Sequence, residues 1–117
     1  MQISRAQANP GQETAQERMM FTVVWSYEVK PEHVERFIEA YRPGGQWARL
    51  FHRGEGYMGS DLYRSTEAPN SFVTIDRWRS REHCTDFMMK QREAYAALDA
   101  KCDDWTVAEQ RLGEIEP

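Results

Sequence analysis

Apolar and polar residues alternate with a period of two along "FTVVWSYEV", so that Phe21, Val23, Trp25, Tyr27 and Val29 share one face of an extended chain. A strand with one strongly apolar face is predicted there. The period then lengthens: Pro31 stands where the first turn of a helix tolerates proline, Glu32 adds a charge that suits a helix N-terminus, and Val34, Phe37, Ile38 and Tyr41 follow at helical spacing. "PGG" at 43–45 stops this helix, "QWARLF" predicts a short second one with Trp47, Leu50 and Phe51 on one face, and "RGEG" breaks the chain again. Two strand-like runs, "YMGSDLYRS" and "SFVTIDRW", are separated by "TEAPN", whose Pro69 and Asn70 suit a hairpin loop, so the runs are expected to pair antiparallel. Beyond Trp78, Ser80 is placed to cap a helix and Glu82 to favour its dipole. Cys84, Phe87, Met88, Gln91, Tyr95, Leu98 and Cys102 recur every three or four positions, predicting one long amphipathic helix from about Arg81 to Lys101. The last segment, "DDWTVAEQRLGEIEP", supports either a helical turn with a brief strand around Leu112 to Glu116 or a tail packed on a second subunit.

The order is strand, helix, short helix, strand, strand, helix and a possible final strand. This is the βαββαβ order of an α+β, ferredoxin-like fold, an antiparallel sheet with helices on one face. Trp25, Tyr27, Tyr57, Tyr63, Phe72 and Trp78 are more large rings than one helix layer needs. The other face of the sheet is therefore expected to be covered as well, by a second copy of the chain around a two-fold axis.

With 117 residues the chain fits one domain. Residues 1–18 read as a polar tail, without an apolar block long enough for a signal peptide or a membrane span, and 19–117 as the folded domain. A cytoplasmic protein with no membrane contact is the expectation. A formal net charge of -4, with no basic stripe, excludes a nucleic-acid partner. Cys84 and Cys102 would lie on one continuous helix and so could not meet, which makes them free core thiols of a reducing compartment.

The stretches "VKPEHVERFIEAYRPGGQWARLF", "GYMGSDLYRS" and "FVTIDRWRSREHCTDF" together resemble the antibiotic biosynthesis monooxygenase (ABM) family of the dimeric α+β barrel superfamily, over about Phe21 to Gln91. The most recognisable element is the strand Trp followed by a serine two positions on, here Trp78 and Ser80. The resemblance implies a homodimer, and an oxygenase acting on aromatic compounds without metal or flavin cofactor. In haem-degrading relatives three positions carry the chemistry, and here they fall on Trp25, Phe87 and Ala97, none of which matches, so haem degradation is not implied. In polyketide-type oxygenases an Asn precedes the strand Trp by four residues, and Thr74 stands in its place.

That chemistry deprotonates the substrate to an electron-rich anion, which passes an electron to oxygen, and it needs an apolar pocket, donors for the anion and shelter from water. Asp76 and Arg77 are consecutive on a strand, so one of them points inward. An inward Asp76 would be a base whose pKa burial raises, an inward Arg77 would hold an anionic substrate, and either also fits an edge or interface salt bridge. His83, in the first turn of the last helix, is a candidate acid or base and equally a surface histidine. Trp25, Tyr27, Tyr63 and Trp78 are the candidate walls, Thr74 a donor, and Met88 with Met89 candidate gap fillers. His33 and His52 are expected at the surface, and no metal clasp is legible among the histidines and cysteines. Three readings stand: a cofactor-independent monooxygenase acting on a small aromatic or quinone-like compound, a non-catalytic small-molecule-binding or accessory dimer on the same scaffold, and a purely structural or stress-related dimer whose aromatic residues only pack.

Overall fold

The structure is a computed structural model that describes residues 20–115; the expected tail at 1–18 lies outside them. Four strands, β1 (Phe21–Val29), β2 (Tyr57–Arg64), β3 (Ser71–Trp78) and β4 (Thr106–Ile115), form one antiparallel sheet in the order β2-β3-β1-β4. Four helices, α1 (Val34–Tyr41), α2 (Gln46–Phe51), α3 (Arg81–Lys90) and α4 (Arg92–Cys102), cover one face. The expected ferredoxin-like arrangement is present.

Residues directly opposite in antiparallel strands share a face. On one side the register aligns Phe21, Val23, Trp25 and Tyr27 of β1 with Trp78, Asp76, Thr74 and Phe72 of β3. That side meets the helices. Phe37 of α1, with no exposed surface, stacks on Tyr41 with ring centroids 4.0 Å apart and touches the rings of Tyr27 at 5.2 Å and Phe72 at 5.0 Å. Trp78 is enclosed by Tyr57, Phe51 of α2 and Phe87 of α3, at 5.2, 5.8 and 5.1 Å. Each such pair adds about 0.5–1.5 kcal/mol to what the buried ring area already contributes.

Three sequence expectations change. The ring surplus does not reach the far face, since five of the six rings point toward the helices and only Tyr63, opposite Val73, points away. α1, α2, α3 and α4 absorb the other five, because Phe37, Trp47, Phe51 and Phe87 bring aromatic partners of their own. The long helix is divided at Gln91, whose φ of -110° and ψ of 25° leave the helical range, so Cys84 and Cys102 sit on separate helices, both as free thiols. No proline or glycine explains the division. At the C-terminal end the chain forms a ten-residue strand on the free side of β1, entered through buried Trp105. Its side chains are mostly exposed, which is why alternation does not betray it. The register slips between Val24 and Trp25, where Gly113 takes a φ of 138°, a value open to glycine without the strain a side chain would meet.

Candidate active site

The inward face of the sheet and the helices enclose a cavity of about 50 Å³. Its floor is Trp25 and Tyr27 from β1 with Thr74 and Asp76 from β3, and Ser60 and Glu109 add side chains from β2 and β4. Trp47 and Phe51 of α2 and Tyr95 and Asp99 of α4 form its roof. A second cavity of about 180 Å³ adjoins it, with Trp25, Phe51, Asp76 and Tyr95 as common walls, and continues to Trp78, Cys84, Met88 and Arg111. The smaller cavity alone is below the roughly 150 Å³ that accommodates benzene, whereas the two together suit a single aromatic ring.

Asp76 stands where the two cavities meet, and its alternation partner Arg77 does not. Asp76 faces the helices; Arg77 faces away and forms a cross-strand ion pair with Asp61 at 2.7 Å. Burial raises the Asp76 carboxyl from an ordinary 3.8 to about 6, against the opposing effects of a hydrogen bond from Ser60 Oγ at 2.7 Å and of the Arg77 charge. Ser60 in turn is hydrogen-bonded to the Tyr57 hydroxyl at 2.5 Å. The tyrosines move the other way from usefulness as bases: burial raises Tyr27 and Tyr41 far beyond the neutral range and Tyr95 to about 12, leaving all three as neutral hydroxyls. Among these groups Asp76 alone changes charge near neutral pH.

Two polar atoms on the same walls are buried with no hydrogen-bond partner, Thr74 Oγ1 and Trp47 Nε1. Thr74 is 4% exposed, so an unmet hydroxyl there costs on the order of 1–3 kcal/mol until something in the cavity meets it. Thr74 lies near enough to the Tyr27 hydroxyl to oppose part of its shift without closing a hydrogen bond of ordinary geometry. Trp47 Nε1 likewise lies near enough to the Tyr41 hydroxyl and the Cys102 thiol to oppose part of their upward shifts without closing a hydrogen bond of ordinary geometry. Thr74 was expected as a donor; Trp47 is a second.

Of the residues singled out from the sequence, the structure brings together Trp25, Tyr27, Thr74 and Asp76, with Trp78 on the adjoining cavity. It places Tyr63, 55% exposed, and Arg77 on the opposite face of the sheet. His83 is not among the lining residues of either cavity. Its amide donates to Ser80 Oγ at 3.2 Å, its Nδ1 is hydrogen-bonded to the same oxygen at 2.7 Å, and its ring lies against Gly56. Gly56 has φ 85°, and a Cβ there would come within 2.5 Å of the imidazole, so corner and histidine are packed as one unit. Met88 reaches the second cavity, but Met89, 69% exposed, fills no gap. His33, expected at the surface, is half-buried with Nδ1 unpartnered. Among the described residues no cluster of three or more His, Cys, Asp or Glu is placed to hold a metal ion.

Ser60, Tyr41, Trp47, Phe51, Tyr95, Asp99 and Glu109 went unsuspected. Trp47 and Phe51 already shared the apolar face of α2 in the sequence, and that was the available signal for them. Glu109 had none, because the strand expected around Leu112 to Glu116 begins six residues earlier, at Thr106.

The family model of the antibiotic biosynthesis monooxygenases matches residues 20–98. The chain belongs to this family. Among solved structures it is similar to a candidate antibiotic biosynthesis monooxygenase from Nitrosomonas europaea, at 20% identity over 84% of this chain and 89% of that one, TM-score 0.68. A family counterpart from Bordetella bronchiseptica is 22% identical over 85% and 97% of the two chains, again with a TM-score of 0.68. SnoaB from Streptomyces nogalater, a cofactor-independent oxygenase, is 17% identical over 85% and 93%, with a TM-score of 0.67. At these identities the likeness establishes the fold the family members share. No curated protein matches the chain.

Proposed function

We propose that this family member is a cofactor-independent monooxygenase whose substrate is a single-ring hydroxylated aromatic compound. The observation that carries this reading is Asp76: a carboxyl raised to about 6, walled by rings, beside unmet donors at Thr74 and Trp47. Asp76 takes the proton of a ring hydroxyl as general base, which contributes typically 10²–10⁴-fold. The resulting anion passes an electron to dioxygen; one oxygen atom enters the ring, and the other leaves as water with the two hydrogens that the phenol loses on becoming a quinone. Thr74 Oγ1 and Trp47 Nε1 supply hydrogen bonds to the oxygens as charge develops on them. Trp25, Phe51 and Tyr95 hold the ring and exclude water.

The second reading, a binding or accessory protein without turnover, also has an observation in its favour. Among the described residues no Lys, Arg or His lines the smaller cavity to stabilise a substrate anion. Oxygen uptake with a panel of hydroquinones and simple phenols separates the two. The enzyme reading requires uptake above the buffer rate, falling as pH drops through about 6 because the base must be ionised. Uptake at the buffer rate with every compound leaves the binding reading.

A second copy of the chain as cover for the outer face of the sheet belongs to the same proposal. Val24, Val73 and Ile75 lie half-exposed there, beside Tyr63 and Ile115 at 55% and 54%. Sedimentation equilibrium at micromolar concentration is expected to return twice the chain mass. The free thiols Cys84 and Cys102 fit a reducing, cytoplasmic setting.

A further inference from the structure

Charge on the walls of the smaller cavity is one-sided. Asp76 lies inside, and Asp99 of α4 and Glu109 of β4 line the same cavity at exposed positions. Burial and the neighbouring charges of Asp99 and Asp103 hold the Glu109 carboxyl above its ordinary range. Arg111, on the adjoining cavity, is engaged by Glu114 at 2.7 Å. Half of the residues lining the smaller cavity are aromatic, and ring faces attract cations. The buried, unpartnered Thr74 hydroxyl independently marks the cavity as built for a ligand with a polar group of its own.

From this we infer that the ligand carries a positive charge: it is an aromatic compound bearing a protonated amine or quaternary ammonium group, seated among Asp99, Glu109 and the rings of Trp25 and Tyr95. The inference deepens the reading of this cavity as the ligand site and names the class of compound that it selects. It also answers the missing basic residue. A ligand that brings its own cation offsets the anion formed when its ring hydroxyl loses a proton, so the protein need not supply one. A neutral phenol leaves three carboxylates on the walls of the smaller cavity with no cation among its described lining residues, and an acid would add a fourth.

The test compares three phenols of one shape that differ in tail charge: 3-(2-aminoethyl)phenol, 3-ethylphenol and 3-(3-hydroxyphenyl)propionate, titrated into the full chain by calorimetry at pH 7. The amine is expected to bind about tenfold tighter than the ethyl compound, as exposed carboxylates and cation–π contacts allow, and the propionate weakest of the three. In the double variant Asp99→Asn, Glu109→Gln the ratio of amine to ethyl-compound affinity should shrink to within about twofold. Equal binding of amine and ethyl compound, tighter binding of the propionate, a preference that survives the double variant, or no binding of any of the three overturns the inference. Oxygen uptake, followed in parallel, keeps the two claims apart. An amine preference without uptake leaves the charge selection standing and removes the oxygenase; uptake with 3-ethylphenol and no amine preference does the reverse.

Discussion

Asp76 and Arg77 are neighbours in the chain and opposites in circumstance. Arg77 projects to the outer face of the sheet, partly exposed, and meets Asp61 across the strand. Asp76 projects inward, where two hydroxyls stand in line behind it, Ser60 and then Tyr57. The first arrangement neutralises a charge and has little further consequence, because exposed pairs contribute about 0–1 kcal/mol. The second leaves a charge partly unmet, which costs stability and makes the group reactive. One peptide bond separates a structural ion from a chemical one, and the difference lies in which face of the sheet each side chain leaves from.

The contrast can be broken by exchanging consequences. Asp76→Asn is expected to reduce oxygen uptake by on the order of 100-fold, while Arg77→Gln stays within about twofold; equal losses would erase the distinction between the faces. On the outer face, Ile75→Lys should weaken self-association by more than about tenfold in sedimentation equilibrium, since it sets an unpaired charge into an apolar contact. Unchanged association would move the dimer contact elsewhere.

Stability sharpens the comparison further. Because the folded Asp76 holds its proton more tightly than the unfolded chain, with about 6 against 3.8, its contribution is fully present below 3.8 and is lost as pH rises to about 6. Asp76→Asn escapes that loss. It should be about 1–2 kcal/mol more stable than the parent at pH 7, discounting for partial access of water, and equal to it at pH 3.5, as read from urea midpoints. A residue whose removal stabilises the fold and abolishes turnover is one retained for chemistry. The smallest effect is that of Asp61→Asn, which breaks the outer pair and should cost less than about 1 kcal/mol in the same titration.

Much of the fold was legible because local signals agreed with it. A period-two apolar run marked β1, strand-like runs on either side of a hairpin loop marked β2 and β3, "PGG" and "RGEG" marked the breaks, and Ser80 marked a cap whose side chain accepts the His83 amide. β4 was legible only in part: a helical turn and a brief strand around Leu112 to Glu116 were one of two readings, but the strand's start at Thr106 was not, since an edge strand with mostly wet side chains has little alternation to show. The helix division at Gln91 was not, since its residues keep helical spacing through it. The facing of Asp76 could have been read: Phe72 and Trp78, both 2% exposed, have the same parity, and every even position between them shares their side. The rest of the site could not. Ser60 reaches Asp76 through a β2–β3 register that slips between Tyr57 and Gly59, and Asp99 and Glu109 arrive from elements far along the chain.

The family pattern ends at residue 98, ahead of the strand that carries Glu109. An edge strand that pairs with one neighbour is also the piece that can be exchanged with least disturbance to the rest, so ligand preference in this fold can be rewritten within Thr106–Ile115 while the segment that carries the family pattern stays as it is.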